Sequence, residues 1–348
     1  MKKRILLTGV GGFIGTHCLK YFLNNTDWDI VGLDSFRHKG TYSRLNELDL
    51  SSERLTILKH DLTVPIDEYL ENRIMGRAFD ANGTTEKGID YIVNMASDSA
   101  VERSVSDPGQ CWRNNCELIY NMLELARRIK PKIFYQVSTD EIYGDCPKDY
   151  FHPEWDTVTP SNPYAASKAA QEALAISYWR SYNVPVVITN CINCIGTMQD
   201  KEKFLPKLIS KIAKGEEMQI YADFKPDGSY EIGSRSYLHC DNHADIFVWL
   251  SDKPISSYAN GDKLPDKYNV CSDVQLNNLE MAELIPKIMG KPLKYKLVPS
   301  QSARPGYDKR YALSGKKLKD MGWNPPIDFV KGIEQIVNWS LEHPWWVI

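Results

Sequence analysis

The chain has 348 residues, 43% of them apolar and 25% charged, with a formal net charge of −3. That length and apolar content allow one large core or two interlocked ones, and they exclude a disordered chain. The weak negative charge excludes a protein that holds nucleic acid on a strongly basic face, and no apolar run approaches the ~20 residues of a membrane-spanning helix.

The opening "MKKRILLTG" is basic, then apolar, and runs straight into glycines without a small-residue cleavage pattern. It reads as a buried strand over 3–9 rather than a signal peptide. "TGVGGFIG" (8–15) follows and opens a helix over 13–25, whose first residues Phe13 and Ile14 are expected to bind the cofactor with the glycines. Gly9 supplies a tight turn, Gly12 lets backbone N–H groups approach a pyrophosphate, and Gly15 lets helix and strand pack closely. A strand over 28–34 ends on Asp34, about 20 residues past the loop, where a carboxylate accepts hydrogen bonds from adenosine ribose hydroxyls and repels a 2′-phosphate. NAD is therefore expected; Arg37, His38 and Lys39 keep NADP as the alternative. A strand over 54–61 leads into "HDL" (60–62), where Asp61 and Leu62 either flank the adenine or only cap the strand.

Further strands are expected over 91–96 and 132–139, with a helix over 112–130 between them. "STDEIYGD" (138–145) then places Thr139, Asp140 and Glu141 at a strand end. Adjacent carboxylates belong either to a solvated loop or to a site in which one is held as an acid by its neighbour's charge. Successive residues of a regular strand face opposite sides, so the second reading requires the backbone to leave extended geometry near 140. "NPYAASKAA" (162–170) begins a helix over 163–182, capped by Asn162 or Ser161, with Pro163 first. Tyr164 and Lys168 share one helical face, so the ammonium can lower the phenol's pKa and also hold a nicotinamide ribose. A strand over 184–191 ends at Cys191. The pair Cys191-x-x-Cys194 lacks a second pair in the sequence, and no metal is expected. The eight cysteines are otherwise scattered, as in a cytoplasmic chain with reduced thiols.

Continuous apolar strands alternating with helices imply a doubly wound parallel α/β sheet of the Rossmann type, with ligands at the carboxyl ends of the strands. After about residue 190 the pattern loosens. Helices are expected over 204–215, 240–250 (with an Asp cap, returning to the main sheet) and around 276–289. The division is an NAD-binding domain over 1–190 and a smaller α/β substrate-binding lobe over 191–348, partly interleaved with it.

The glycine loop, "NMASDSAVERS" (94–104), the S-T-D-E segment, Tyr164-x-x-x-Lys168, "TNCINCIG" (189–196) and "RPGYDKRYAL" (304–313) fall in order along nearly the whole chain. Together they resemble the extended short-chain dehydrogenase/reductase family and its NAD-dependent epimerases and dehydratases, most closely the nucleotide-sugar 4,6-dehydratases of the dTDP-glucose type. The resemblance implies that Tyr164 takes the proton of the sugar's C4 hydroxyl while Thr139 hydrogen-bonds that oxygen. Glu141 would remove the C5 proton, and protonated Asp140 would donate to the departing C6 hydroxyl. Ser99, Asn193, Lys207, Tyr221, Arg235, Arg304 and Tyr307 would hold the nucleotide-diphosphate sugar. A homodimer joined through the helices over 112–130 and 163–182 is also implied. The Asp-Glu pair favours a dehydratase over a 4-epimerase, which needs only the hydroxyl, Tyr and Lys; a 4-epimerase and a non-catalytic NAD-binding scaffold remain the alternatives. Tyr307, Cys194, Ile195, Thr197, Asn94 and Ser97 depart from the group's pattern, which leaves dTDP, UDP and CDP open as the nucleotide.

Overall fold

The computed structural model describes residues 2–48, 51–80, 83–300 and 308–347. Seven strands build the central sheet: β1 (Arg4–Thr8), β2 (Asp29–Asp34), β3 (Leu55–Lys59), β4 (Tyr91–Asn94), β5 (Ile133–Thr139), β6 (Val186–Cys191) and β7 (Asp266–Val270). Their spatial order is β7-β6-β5-β4-β1-β2-β3, and every neighbouring pair is parallel. This is a Rossmann-type α/β fold. The order reverses at β1, with β2 on one side and β4 on the other, and a crevice opens there at the carboxyl ends of the strands.

Five helices position the site: α1 (Phe13–Asn25), α2 (Pro108–Ile129), α3 (Pro163–Tyr182), α4 (Phe204–Lys214) and α5 (Cys240–Leu250). Strands β1, β5 and β6 are buried along their whole length because helices cover both faces of the sheet. The two-residue period of β1 sends Ile5 and Leu7 into the core with Leu19 and Phe22 of α1, and Leu6 into the core with Met122 and Leu123 of α2. α3 keeps its expected bounds: the Asn162 side chain accepts from Ala165 N–H, Pro163 fills the first turn, and Asn183 closes the helix with φ 53°. α2 begins earlier than expected, at Pro108, because Asp107 caps it. The cap of α5 also differs. His239, not an aspartate, accepts from Asp241 N–H at 3.2 Å, while Asp241 pairs with His17 at 2.7 Å.

After residue 191 the chain leaves the central sheet and returns to it as β7, which lines up with β6 and sets Asn269 opposite Asn190. Outside the central sheet, the strand Glu217–Phe224 pairs with Lys294–Pro299, and Asn193–Ile195 pairs with Ser234–His239. A separate core there gathers Leu208, Ile209, Met281, Ile285 and Ile333. No described helix is long and apolar enough to cross a membrane.

Candidate active site

Gly9 leaves β1 with φ +71°, and its N–H donates to Leu33 O at 2.8 Å. A Cβ on Gly15 would stand 2.0 Å from Gly9 O, so only glycine permits α1 to start this close to the strand. A Cβ on Gly9 would meet Ala96 Cα at 3.1 Å, across the crevice between β1 and β4. No side chain caps α1 at Gly12, so its first N–H groups stay open to an anion. Phe13 and Ile14, partly buried, pack against Cys191, Cys194 and Cys240. At the end of β2, Asp34 Oδ2 accepts from Gly11 N–H at 2.9 Å and Oδ1 from Phe36 N–H at 2.8 Å. These bonds fix the carboxylate beside the glycine loop and leave a lone pair on each oxygen for ribose hydroxyls. Asp61 holds Arg37 at 2.6 Å, and Leu62 is buried. Lys39 pairs with Glu202. Two cations that favoured a 2′-phosphate are thus bound by carboxylates, and the cradle fits NAD.

β5 ends at Thr139, which caps a single tight turn over Asp140–Tyr143 and accepts from Glu141 N–H at 3.4 Å. That turn is the departure from extended geometry that the adjacent acids require. Thr139 Oγ1 donates to Asp140 Oδ1 at 3.1 Å, and Asn162 Nδ2 donates to Glu141 Oε2 at 3.1 Å. Asp140 is buried, and among the described residues its Oδ2 has no hydrogen-bond partner. Burial, reinforced by the Glu141 charge, raises its carboxyl to about 7. Burial also raises Glu141, against the opposing pull of Asn162 and Arg235.

Tyr164 and Lys168 occupy the first turns of α3. Burial pushes the Tyr164 phenol well above its ordinary value, the charges of Glu141 and Asp140 push the same way, and a hydrogen bond with Thr139 opposes them. Lys168 Nζ donates to Val137 O and Gln171 Oε1, each at 2.6 Å, and burial lowers its ammonium to about 8.

Arg235 anchors the far side. It donates to Asp308 O at 2.8 Å and Lys309 O at 2.7 Å, and stacks 4.6 Å over the Tyr311 ring. Its charge acts on both Asp140 and Glu141. Thr139, Asp140, Glu141, Tyr164, Lys168 and Arg235 therefore form one neighbourhood. Ser99 is exposed after β4, Asn193 is exposed after β6, and Lys207 and Tyr221 are exposed on α4 and the strand Glu217–Phe224. Arg304 and Tyr307 lie outside the described residues.

The sequence pattern characteristic of the NAD dependent epimerase/dehydratase family matches residues 5–271. The chain belongs to that family. The low-salt glycan biosynthesis protein Agl12 of Haloferax volcanii is 32% identical over 97% of this chain and 98% of its own. The dTDP-glucose 4,6-dehydratase 1 of Escherichia coli K12 is 28% identical over 99% of this chain and 94% of its own. Among solved structures, the dTDP-glucose 4,6-dehydratase DesIV of Streptomyces venezuelae, with NAD bound, superposes with a TM-score of 0.81 at 26% identity, covering 99% of this chain and 98% of that one. NAD is the cofactor of this epimerase/dehydratase.

Sequence reasoning missed a buried chain of polar groups behind the site of this family member. Lys267 Nζ on β7 pairs with Glu172 Oε2 at 2.7 Å. Glu172 Oε1 accepts from Asn190 Nδ2 at 2.8 Å, and the same amide donates to Thr139 O at 3.0 Å. Glu172 lies on the Tyr164–Lys168 face of α3, eight positions past the phenol, which was a readable signal. Lys267 gave none, since a lysine inside a strand ordinarily marks an edge facing water. Lys267→Ala leaves Glu172 buried and unpaired. Unfolding in urea is expected to show a loss of about 3–5 kcal/mol, and a loss below ~1 kcal/mol, the range of an exposed pair, contradicts the burial argument.

Proposed function

We propose that this enzyme is an NAD-dependent nucleotide-diphosphate-glucose 4,6-dehydratase, acting on dTDP-glucose ahead of UDP- or CDP-glucose, and that it releases the 4-keto-6-deoxy sugar. The observation that carries the reading is the turn after Thr139, which sets a buried, partnerless Asp140 oxygen beside Glu141 and the Tyr164 phenol. Bound NAD supplies the oxidant that accepts hydride from sugar C4 and later returns it to C6. Tyr164 takes the C4 hydroxyl proton, with Thr139 hydrogen-bonded to the same oxygen. The new ketone acidifies C5–H. Glu141, oriented by Asn162, removes that proton, and Asp140, held neutral by burial and by its neighbour's charge, gives a proton to the leaving C6 hydroxyl. Return of hydride to C6 is balanced by reprotonation at C5, and water is the net product. An epimerase has no use for the second acid.

In this reading residues 1–190 bind NAD and 191–348 form the interleaved sugar-nucleotide lobe. Ser99, Asn193, Lys207, Tyr221, Arg235, Arg304 and Tyr307 contact the substrate. We also propose a cytoplasmic homodimer joined through α2 and α3, whose surfaces expose Trp112, Tyr120 and Tyr182. The unbonded thiols suit a reducing compartment.

Incubation with dTDP-, UDP- and CDP-glucose tests the reading. A 4-keto-6-deoxy product, recognised by its absorbance in alkali, supports it; a C4 epimer points to the epimerase, and no product to a scaffold. The pH profile gives a second check. Asp140 must be protonated to act, and its raised carboxyl ionises near 7. Turnover is therefore expected to fall as pH rises through about 7, and Asp140→Asn should lower kcat and remove that limb. An unchanged limb in the variant assigns the titration to another group.

A further inference from the structure

Two short sequence motifs meet beneath the glycine loop. Cys191 and Cys194 close β6 and enter the strand Asn193–Ile195; Cys240 and His243 stand in the first turn of α5. The ladder that sets Cys194 opposite Leu238 runs straight into α5, and this brings the C-x-x-C and C-x-x-H pairs together. The donor atoms of Cys191, Cys194 and His243 all lie within 4.8 Å of one another. Cys194 Sγ is 3.7 Å from His243 Nδ1. Cys240 is buried in the same cluster but stands outside that group of three donors. In a tetrahedral site with Zn–S near 2.3 Å and Zn–N near 2.0 Å, the S···N edge is about 3.6 Å.

We infer that Cys191, Cys194 and His243 form a buried structural site for a zinc-type divalent cation, and that Cys240 completes it as the fourth donor by a side-chain rotation. All four side chains are buried, and among the described residues His243 Nε2 has no hydrogen-bond partner, so the thiol contact alone orients the polar edge of the ring. Three sulfurs and one imidazole nitrogen form a donor set that selects zinc over harder cations. Binding forms three metal–sulfur bonds and one metal–nitrogen bond, and releases three thiol protons to solvent. The resulting site carries one net negative charge, and Lys168 is the cation whose field reaches Cys191. The metal would tie β6 and α5 together under Phe13 and Ile14, bracing the floor of the NAD cradle. The C-x-x-C pair reads as isolated along the sequence; the fold supplies its partner pair.

The intact protein, stripped with a chelator under reducing conditions, is titrated with Co(II) and then Zn(II). The expected result is a thiolate-to-cobalt charge-transfer band and tetrahedral d–d bands that saturate at one equivalent and vanish when Zn(II) displaces Co(II). Release of about three protons per metal accompanies binding. Cys194→Ser and His243→Ala should each weaken Zn(II) binding by at least about 100-fold, since losing a ligand exceeds the effect of losing an outer partner. Circular dichroism checks that the variants are folded; if either fails to fold, the cobalt spectrum of the unaltered protein decides alone. Folded protein without the charge-transfer band, or binding unaffected in both folded variants, overturns the assignment.

Discussion

Tyr164→Phe is expected to abolish turnover while leaving NAD bound. The substitution removes one oxygen and keeps the ring that fills a buried position on α3. Removal of a positioned acid–base group costs about 10²–10⁴-fold in rate. The proposed cofactor contacts at Gly9 and Gly12 in the loop before α1, at Gly15 on α1 and at Asp34 at the end of β2 are untouched. Kcat measured with dTDP-glucose should therefore collapse, and NAD affinity read by fluorescence titration should hold. The phenol's starting point sharpens the argument. In the free protein, burial and two neighbouring carboxylates keep it protonated, so its ionised form must be stabilised within the complex, where the oxidised nicotinamide ring brings positive charge. Turnover that survives the substitution removes Tyr164 from the mechanism.

Glu141→Gln should separate the two halves of the cycle. Glutamine keeps an oxygen for the Asn162 amide and loses the basic lone pair at C5. Elimination is expected to slow by about 10²–10⁴-fold, while oxidation at C4, which depends on Tyr164 and Thr139, proceeds. Single-turnover absorbance should then show reduced nicotinamide that persists. The variant also removes the negative charge that helps raise Asp140. The Asp140 carboxyl shifts down toward its ordinary value, and the descending limb of the pH profile moves to lower pH. Equal slowing of oxidation and elimination excludes Glu141 as the C5 base.

The parts of this site that were legible in the sequence are those set by local chemistry. The glycine spacing, Asp34 at the end of β2 and the Tyr164–Lys168 interval each depend on a few consecutive residues and one element's period. α3 could be bounded from sequence because its cap, its first-turn proline and its αL closing residue are all local signals. What escaped depends on residues far apart in the chain. β7 is a short strand opening with Asp266 and Lys267, and the distant Glu172, with the rings of Tyr143 and Trp155, makes that lysine acceptable in the interior. Lys168 donates to Val137 O, a contact that exists only once α3 is laid on β5. Whether Asp140 and Glu141 can work together turned on backbone geometry after Thr139, which a run of residue types does not encode.

The return of the chain to form β7 sets how the molecule comes apart. β6 has β5 on one side and a strand from the far end of the sequence on the other. A fragment ending at residue 190 would lose that partner, and a row of backbone donors and acceptors would be left on a flat apolar margin that invites strand-to-strand aggregation. Because β7 closes the central sheet, the segments before and after residue 190 are expected to unfold together, and a calorimeter should record one melting transition instead of two.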